Sequence, residues 1–461
     1  MMVTLRPYQE KAINDVRVAF SSGARAPLLV AATGAGKTVM FSAIAAGAHG
    51  KGVNTLILAH RQELIRQASN KLADVGVPHG IIMPGSPVTR DPVKVGSVQT
   101  VALRLDRLPK FGLIVIDEAH HSIAGQYQTI IKAQPQAKLL GVTATPERLD
   151  GRGLGDAFDR LVFGPQVAEL VAQGYLVGTR VWAPARGVDL SDVKIVAGDY
   201  QVSGLAAAMD RASITGDAVA HYAKHAPGLP AIAFCTSVKH AQDVALAFRE
   251  AGWRAAAAHG GMTPAERAHA LGGLATGAVQ VVCAAELISE GLDVPAVGCV
   301  ILLRPTKSLG LHLQQVGRGL RPAPGKQHLV VLDHANNTAT HGFAETPREW
   351  SLVGQKGKKR AAPAIRQCPD CYAVHPPQHA CPMCGHVYAA GAAPRQVDRR
   401  DGDLHEVDKA KAGQTPLKQA LKAARTRAEL HALAVAREYS PGWVEVQMQL
   451  RSRRYAGGRA A

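Results

Sequence analysis

Short apolar runs alternate with amphipathic stretches along most of the chain, and this alternation limits the possible folds more than any other feature. From residue 27 to about 145 the apolar runs are PLLVAA, TLILAH, VKVGS, LIVIDE and LLGVTAT. The pattern weakens between 176 and 225 and resumes with AIAFCT, RAAAAH, VQVVCA, VGCVILL and HLVVLD. Runs of this length are typical of buried parallel strands, and the stretches between them are typical of covering helices. We therefore predict an α/β chain with two parallel-sheet domains in tandem.

The length and the changes in composition predict the domain limits. The chain has 461 residues, enough for two or three domains. We predict a first domain over 1–175, a connector over 176–225 and a second domain over 226–345. Beyond them we predict a basic linker over 346–366, a cysteine-rich module over 367–388, a linker over 389–412 and a helical basic tail over 413–461. In the tail, Tyr439 and Trp443 could stack on nucleic-acid bases or pack a small core, and packing is favoured.

The charge of the chain indicates the class of its partner. Lys and Arg number 53 against 36 Asp and Glu, which gives a formal net charge of +17. This excess favours a polyanion, and nucleic acid before a membrane surface. The sequence has no apolar run long enough to span a bilayer and begins without a secretory signal pattern. We therefore expect a cytoplasmic protein without a membrane partner.

The segment AATGAGKT joins a predicted strand to a predicted helix, which is the setting that a phosphate-binding loop requires. Ala31 stands where such loops usually begin with glycine. Lys37 is predicted to reach the β and γ phosphates of a nucleotide, and Thr38 to ligate Mg²⁺. The candidate nucleotide-binding residues of this loop are Thr33, Gly34, Ala35, Gly36, Lys37 and Thr38.

Two carboxylates follow a later strand, in LIVIDEAHH. Asp117 is predicted to hold Mg²⁺, and Glu118 to orient and deprotonate the attacking water. DEAH at 117–120, together with Thr143-Ala144-Thr145, resembles motifs II and III of the superfamily 2 helicases. The resemblance extends over residues 3–340 and implies two RecA-like domains with ATP between them.

The same resemblance implies further contacts in the first domain. In LRPYQ it implies that Gln9 reads adenine and that Arg6 lies near the base. In TLILAHRQELIRQ it implies that Arg61 meets a nucleic-acid phosphate. The remaining residues for which it implies contact with nucleic acid are Ser97, Gln99 and Thr100 in GSVQT and Ser237 in AIAFCTSVKHAQ.

In the second domain, HLQQVGRGLRP resembles motif VI and implies catalytic roles for Gln314, Arg318 and Arg321. Arginines three residues apart lie on one helical face, and their guanidinium groups suit a phosphate whose charge spreads in the transition state. ELISEGLDVPAV resembles motif V, which implies that Gly291 permits a close approach and that Asp293 either contacts ribose or couples to the nucleic-acid site.

CPDC and CPMC place Cys368, Cys371, Cys381 and Cys384 in two pairs that nine residues separate. Four thiolates at this spacing predict a tetrahedral Zn²⁺ site in a zinc ribbon, with a redox dithiol as the alternative. The order of motor, zinc module and helical tail resembles the RadD-type helicases of bacteria and phages.

The resemblance implies an ATP-dependent DNA helicase or translocase of repair, recombination or replication, bacterial or phage-encoded. It implies DNA rather than RNA as substrate, a monomer, and single-strand-binding or recombination proteins as candidate partners. Two alternatives remain. One is a duplex DNA translocase or a restriction-type motor subunit without strand separation. The other is a zinc-dependent nucleic-acid adaptor with an inactive ATPase core.

Overall fold

The computed structural model describes the chain over 4–122, 125–148, 152–183, 190, 193–196, 199–201, 204–205, 212–285, 297–354, 363–388, 421, 424, 426–437, 439 and 442–448. The chain divides into two compact units, Met1–Ala389 and Ala390–Ala461. Within the described residues, no helix has the length and apolar character needed to cross a membrane.

The first domain is built on a parallel sheet of seven strands in the order β3-β4-β2-β5-β6-β1-β7. All five of the predicted apolar runs form its central strands and are almost wholly buried. The strands are β1 Pro27–Val30, β2 Thr55–Ala59, β3 His79–Ile82, β4 Val93–Ser97, β5 Leu113–Asp117, β6 Lys138–Thr143 and β7 Arg160–Phe163.

Helices connect these strands. The first begins at Pro7, where the Arg6 amide donates to Gln9 Oε1 at 3.0 Å and proline supplies the φ angle that a first turn needs. The helices of this domain are α1 Pro7–Ser21, α2 Lys37–His49, α3 Gln62–Asp74, α4 Val98–Leu103, α5 Gly125–Ala133 and α6 Val167–Ala172.

The second domain has an eight-stranded sheet in the order β12-β13-β11-β14-β15-β8-β17-β16. Its first six strands are parallel, so the prediction of two parallel-sheet domains is confirmed. The strands are β8 Gly178–Trp182, β11 Ala231–Cys235, β12 Ala255–Ala258, β13 Val281–Ala285, β14 Cys299–Leu302, β15 His328–Asp333, β16 Arg366–Gln367 and β17 Ala373–His375, with a separate ribbon of β9 Ile195–Val196 and β10 Asp199–Tyr200.

The cysteine-rich module extends this second sheet. Strand β17 pairs antiparallel with β8, and β16 pairs with β17. Trp182 of β8 packs against Cys368, Ala373 and Cys381 of the module. The sequence predicted a module attached through a linker, whereas the structure makes it the edge of the second sheet.

The helices of the second half are α7 Ala212–His225, α8 Val238–Glu250, α9 Pro264–Thr276, α10 Leu309–Gly317 and α11 Asn337–His341, and the tail contributes α12 Arg427–Ala436. In the tail, the rings of Tyr439 and Trp443 lie 4.7 Å apart and pack on Leu430, Ala434 and Val444. The two aromatics therefore pack a small core, which is the alternative that the sequence favoured.

After the second domain the chain returns to the first. Arg348 donates its amide to Gln166 Oε1 at 2.8 Å, and Gln166 Nε2 donates to the Arg348 carbonyl at 3.2 Å. The Gly155 amide donates to the Leu352 carbonyl at 2.9 Å, and Trp350 packs on the core of the first domain. This return segment, residues 345–354, is a second connection between the domains, besides the chain that leads into β8.

Gly153→Ala should loosen the return segment. A Cβ at Gly153 would lie 1.9 Å from the Leu352 carbonyl oxygen, a backbone atom that cannot move alone. We expect the local stability to fall by about 1–3 kcal/mol, measured as faster hydrogen exchange of the Gly155 amide. Gly272→Ala is the control, because a Cβ there meets nothing within 4 Å. Unchanged exchange in the Gly153 variant would contradict the contact.

Candidate active site between the domains

The loop between β1 and α2 has the backbone geometry of a phosphate cradle. Gly34 and Gly36 adopt positive φ angles of 88° and 80°. A Cβ at Gly36 would lie 2.5 Å from Gln9 Nε2, so glycine is required both for the turn and for the approach of α1. The loop ends at the amino terminus of the 13-residue helix α2, which begins at Lys37. Backbone amides at such a terminus bind phosphate oxygens.

Lys37 lies within a field of charges that both domains supply. Its Nζ donates a hydrogen bond of 3.4 Å to the Ala31 carbonyl. Burial lowers the pKa of Lys37 below its usual value. The carboxylates of Glu118 and Asp117 act in the opposite direction and raise this pKa. The guanidinium groups of Arg318 and Arg321 lower it further. The structure therefore brings together the five charged residues predicted from the two halves of the sequence.

Glu118 is held in a strained conformation at the end of β5. It adopts a left-handed φ of 49°, which is rare for a residue with a side chain. Its amide donates to Asp117 Oδ1 at 3.0 Å, and both side chains are buried. Glu118 Oε2 has no hydrogen-bond partner and lies 3.4 Å from His120 Nδ1. A buried carboxylate oxygen without a donor fits a site that receives a ligand.

A chain of polar contacts leads from Glu118 to the second domain. His120 Nδ1 lies 3.3 Å from Thr143 Oγ1. That hydroxyl donates to the Thr145 carbonyl at 3.0 Å and accepts from the Thr145 amide at 3.2 Å. A Cβ at Gly310, in α10, would lie 3.0 Å from Thr145 Oγ1. The loop after β6 therefore lies between the carboxylates and the second domain.

Helix α10 places its carboxyl end against the phosphate loop. A Cβ at Gly317 would lie 2.4 Å from Thr33 Cγ2, so the backbone of α10 lies directly against the Thr33 side chain. Gln314 is buried. The sequence expectation that Arg318 and Arg321 share one helical face is wrong, because the helix ends at Gly317 and both arginines follow it. We call residues 318–321 the arginine turn.

The residues expected at the base form one cluster beside the loop. Gln9 Nε2 donates to the Ala35 carbonyl at 3.1 Å, and Gln9 Oε1 accepts from the Arg6 amide. The Arg6 guanidinium lies 4.7 Å from the centre of the Tyr175 ring, and Tyr8 packs edge-on against that ring. Sequence reasoning missed both tyrosines, although Tyr8 stands inside the motif LRPYQ.

Burial lowers the pKa of Arg321, and the positive charge of Arg6 lowers it further. The arginine turn therefore lies within the electrostatic reach of the base cluster.

The residues expected to contact nucleic acid occupy the carboxyl ends of strands. Arg61 directly precedes α3, after β2, and the Ser237 hydroxyl caps α8, after β11, by accepting from the His240 amide. Gln99 is exposed in α4. Ser97 and Thr100 are buried and bonded to each other, with 2.9 Å between their hydroxyls, so capping of α4 accounts for their side chains. Gly291 and Asp293 lie outside the described residues.

An ion pair that the sequence did not reveal joins the domains near Arg61. Arg267 Nη1, in α9, lies 2.8 Å from Glu63 Oε1, in the first turn of α3. The Arg267 side chain is 21% exposed, which makes it the better shielded partner. The pair links helices of different domains, so it depends on the closed arrangement of the cleft.

The four cysteine sulfurs lie within 4.8 Å of one another. Cys368 Sγ is 3.5 Å from Cys384 Sγ, and Cys371 Sγ is 3.7 Å from Cys381 Sγ. Sulfurs at the corners of a tetrahedral zinc site lie about 3.8 Å apart, since Zn–S bonds are about 2.3 Å long. Nearby histidines have other partners: His375 Nε2 lies 2.7 Å from Tyr388 Oη, and His386 Nδ1 lies 2.7 Å from Asp370. The residues present therefore fit a four-thiolate zinc site.

Two family models match the chain. Residues 2–148 match the family described as Type III restriction enzyme, res subunit, and residues 215–323 match the helicase conserved C-terminal domain. A 51.5 kDa protein of a Lactococcus phage is 35% identical over 384 residues, which cover 82% of this chain and 81% of that protein. A Saccharomyces cerevisiae protein named as ATP-dependent helicase IRC3 is 30% identical over 71% of this chain, which spans 51% of the yeast protein.

Solved structures share the fold. A fragment assigned to the HsdR subunit of a type I restriction enzyme from Vibrio vulnificus has a TM-score of 0.59 and 22% identity, covering 74% of this chain and 67% of that one. The DNA-bound Type ISP restriction-modification enzyme LlaBIII has a TM-score of 0.54 and 18% identity, covering 72% of this chain and 28% of that one. The chain belongs to the superfamily 2 helicases and is an ATP-hydrolysing nucleic-acid motor.

Proposed function

We propose that this motor acts on DNA, and that its ATP site is the cleft where Lys37 meets carboxylates of the first domain and arginines of the second. The observation that carries the proposal is this charge field, because neither domain holds all of the groups that phosphoryl transfer requires. The positive charge of the chain and its resemblance to RadD-type helicases support DNA as the track.

In the first domain, the loop from Thr33 to Gly36 binds the phosphates through its backbone amides, and Lys37 neutralises the β and γ phosphates. Thr38 and Asp117 hold Mg²⁺, for which the buried carboxylate beside a phosphate loop is a suitable ligand. When bound, this ion neutralises phosphate charge. Glu118 orients and deprotonates the attacking water, and its partnerless buried oxygen is the atom that accepts the proton.

The second domain completes the site with Arg318 and Arg321. Their guanidinium groups stabilise the charge that develops on the γ-phosphoryl oxygens, and Gln314 supports them from α10. Because the arginines reach the nucleotide only in the closed cleft, hydrolysis is coupled to relative movement of the domains. The contacts from Glu118 through His120 to Thr145 connect the carboxylates with α10, and this movement can be transmitted through them.

DNA crosses the edge of both sheets where Arg61, Gln99 and Ser237 lie. The amino termini of α3 and α8, which follow Arg61 and Ser237, suit phosphate oxygens. Affinity therefore comes mainly from phosphates, falls with salt and depends little on base sequence.

A second candidate is a duplex translocase of the restriction type, which moves without separating strands. The family match of residues 2–148 favours this alternative. Strand-displacement and triplex-displacement assays separate the two functions, because a pure translocase removes a third strand but leaves the duplex paired. An adaptor with an inactive ATPase core is disfavoured by the complete set of charged groups around Lys37.

Glu118→Gln should retain ATP binding but hydrolyse ATP about 10²–10⁴ times more slowly, because the general base is removed. Lys37→Ala should instead lose nucleotide affinity and turnover together. The measurements are steady-state ATPase and the binding of a fluorescent ATP analogue. Near-normal turnover of the Glu118 variant would contradict the assignment of the base.

Nucleic acid should stimulate ATP hydrolysis, and DNA more than RNA of the same length. Arg61→Ala should raise the DNA concentration for half-maximal stimulation roughly tenfold, the loss expected for one charge-assisted hydrogen bond, without changing basal turnover. Arg17→Ala, at an exposed site on α1, is the matched control. A chain indifferent to single strands, duplexes and forks of DNA would refute the proposed track.

We also propose that Cys368, Cys371, Cys381 and Cys384 bind one structural Zn²⁺. Replacing Cys381 and Cys384 by serine should abolish bound zinc and lower the thermal stability of the whole chain, because β17 of the module pairs with β8. His386→Ala is the control and should keep its zinc. Zinc content by elemental analysis and the melting temperature are the readouts. Zinc retained by the double variant would refute the ligand assignment.

A further inference from the structure

Lys326 lies beside the arginine turn but outside every motif that the sequence singled out. The chain leaves the turn through Pro322-Ala323-Pro324-Gly325, where Gly325 has a φ of 75°. The Lys326 amide closes this bend on the Ala323 carbonyl at 3.0 Å. The side chain then points back toward the residues that the chain has just left.

The Lys326 ammonium donates three hydrogen bonds to backbone carbonyls. Its acceptors are Arg321 at 2.7 Å, Val297 at 2.6 Å and Gly319. An ammonium group has three donors, so its bonding capacity is filled. Val297 lies just before β14, so the lysine ties the arginine turn to the sheet of its own domain.

The Leu320 carbonyl, which lies between the carbonyls of Gly319 and Arg321, is also hydrogen-bonded. Leu320 accepts a hydrogen bond of 2.8 Å from the Val177 amide, just before β8. Three successive carbonyls, 319–321, are therefore fixed, two of them by Lys326. Since the helix has already ended at Gly317, these bonds replace the helical ladder as the support of the turn.

We propose that Lys326 is a positioning residue for ATP hydrolysis, which orients Arg321 toward the nucleotide by holding the backbone of the arginine turn. The inference rests on the proposed role of Arg321. It requires that Lys326 change the rate of the chemical step without touching ATP, since its donors are all engaged by backbone oxygens.

The surroundings of Lys326 disfavour its charged form. Burial, and then the positive charge of Arg321, lower its pKa to about 8. Among the described residues Arg321 is the charged group that acts on Lys326, and its other partners are the neutral carbonyls of Val297 and Gly319. As pH rises through about 8 the ammonium becomes a neutral amine, which has one donor fewer and binds the carbonyls more weakly.

The test compares the full-length wild-type chain with Lys326→Met, Lys326→Gln, Arg321→Ala and the Lys326→Met, Arg321→Ala double variant. Lys326→Met should lower kcat about 10- to 100-fold, the loss expected when catalytic groups are displaced by about 1 Å. Its KM for ATP and its affinity for a fluorescent ATP analogue should change less than about threefold. Lys326→Gln keeps two donors and should lie between the wild type and Lys326→Met. Lys239→Met, at an exposed ion pair on α8, is the control for loss of a lysine.

The double variant separates positioning from general support of the fold. In the Arg321→Ala background, Lys326→Met should lower kcat much less than it does alone. In addition, the kcat of the wild type divided by the kcat of Lys326→Met should fall toward one between pH 7 and 9.5, because the wild-type lysine loses its charge. An unchanged kcat in Lys326→Met, an equal loss in both backgrounds, or a constant ratio across pH would overturn the inference. Full activity of Arg321→Ala would instead overturn the proposed role of the arginine.

Discussion

The closed cleft depends on a site where positive charge exceeds negative charge. Arg318 and Arg321 act on Lys37, and Arg6 acts on Arg321, whereas the opposing carboxylates are Asp117 and Glu118. Like charges brought together at low dielectric repel strongly unless an anion lies between them. A nucleotide polyphosphate is such an anion, so its binding stabilises the arrangement in which both domains contribute cations. This electrostatic balance explains why the arginines belong to one domain and the phosphate loop to the other.

Close packing between the two domains fixes the positions of these charged groups. Gly317 and Gly310 bring the backbone of α10 against the side chains of Thr33 and Thr145, and at Gly317 an added Cβ would lie only 2.4 Å from Thr33 Cγ2. The return segment and the Val177–Leu320 hydrogen bond hold the second domain at other points. Because these contacts lie on different elements, a change at the phosphate loop reaches the second domain through several packed contacts.

The sequence predicted the parts of the structure that depend on local pattern. The run VKVGS forms a strand over the same five residues, Val93–Ser97, and all five are buried even though Lys94 and Ser97 are polar. Strand β3, His79–Ile82, was missed because its residues are alternately buried and partly exposed. Tyr175, the Glu63–Arg267 pair and the end of α10 could not be predicted, since each depends on residues that are far apart in sequence or on where a helix stops. The phosphate loop and the two carboxylates could be predicted, because each directly follows an apolar strand in the sequence.

The cysteine-rich module shows the same limit of prediction from local pattern. The basic, Pro/Ala-rich stretch before Cys368 predicted a linker, but composition says nothing about an open sheet edge elsewhere in the chain. Strand β8 has β15 on one side and would expose unpaired amides and carbonyls on the other. Strands of two or three residues, such as β16 and β17, bury too little to cover that edge alone. The proposed metal, bound by the four thiolates, would supply the missing free energy, so a module that looks like an appendage in the sequence can form the edge of the motor's second sheet.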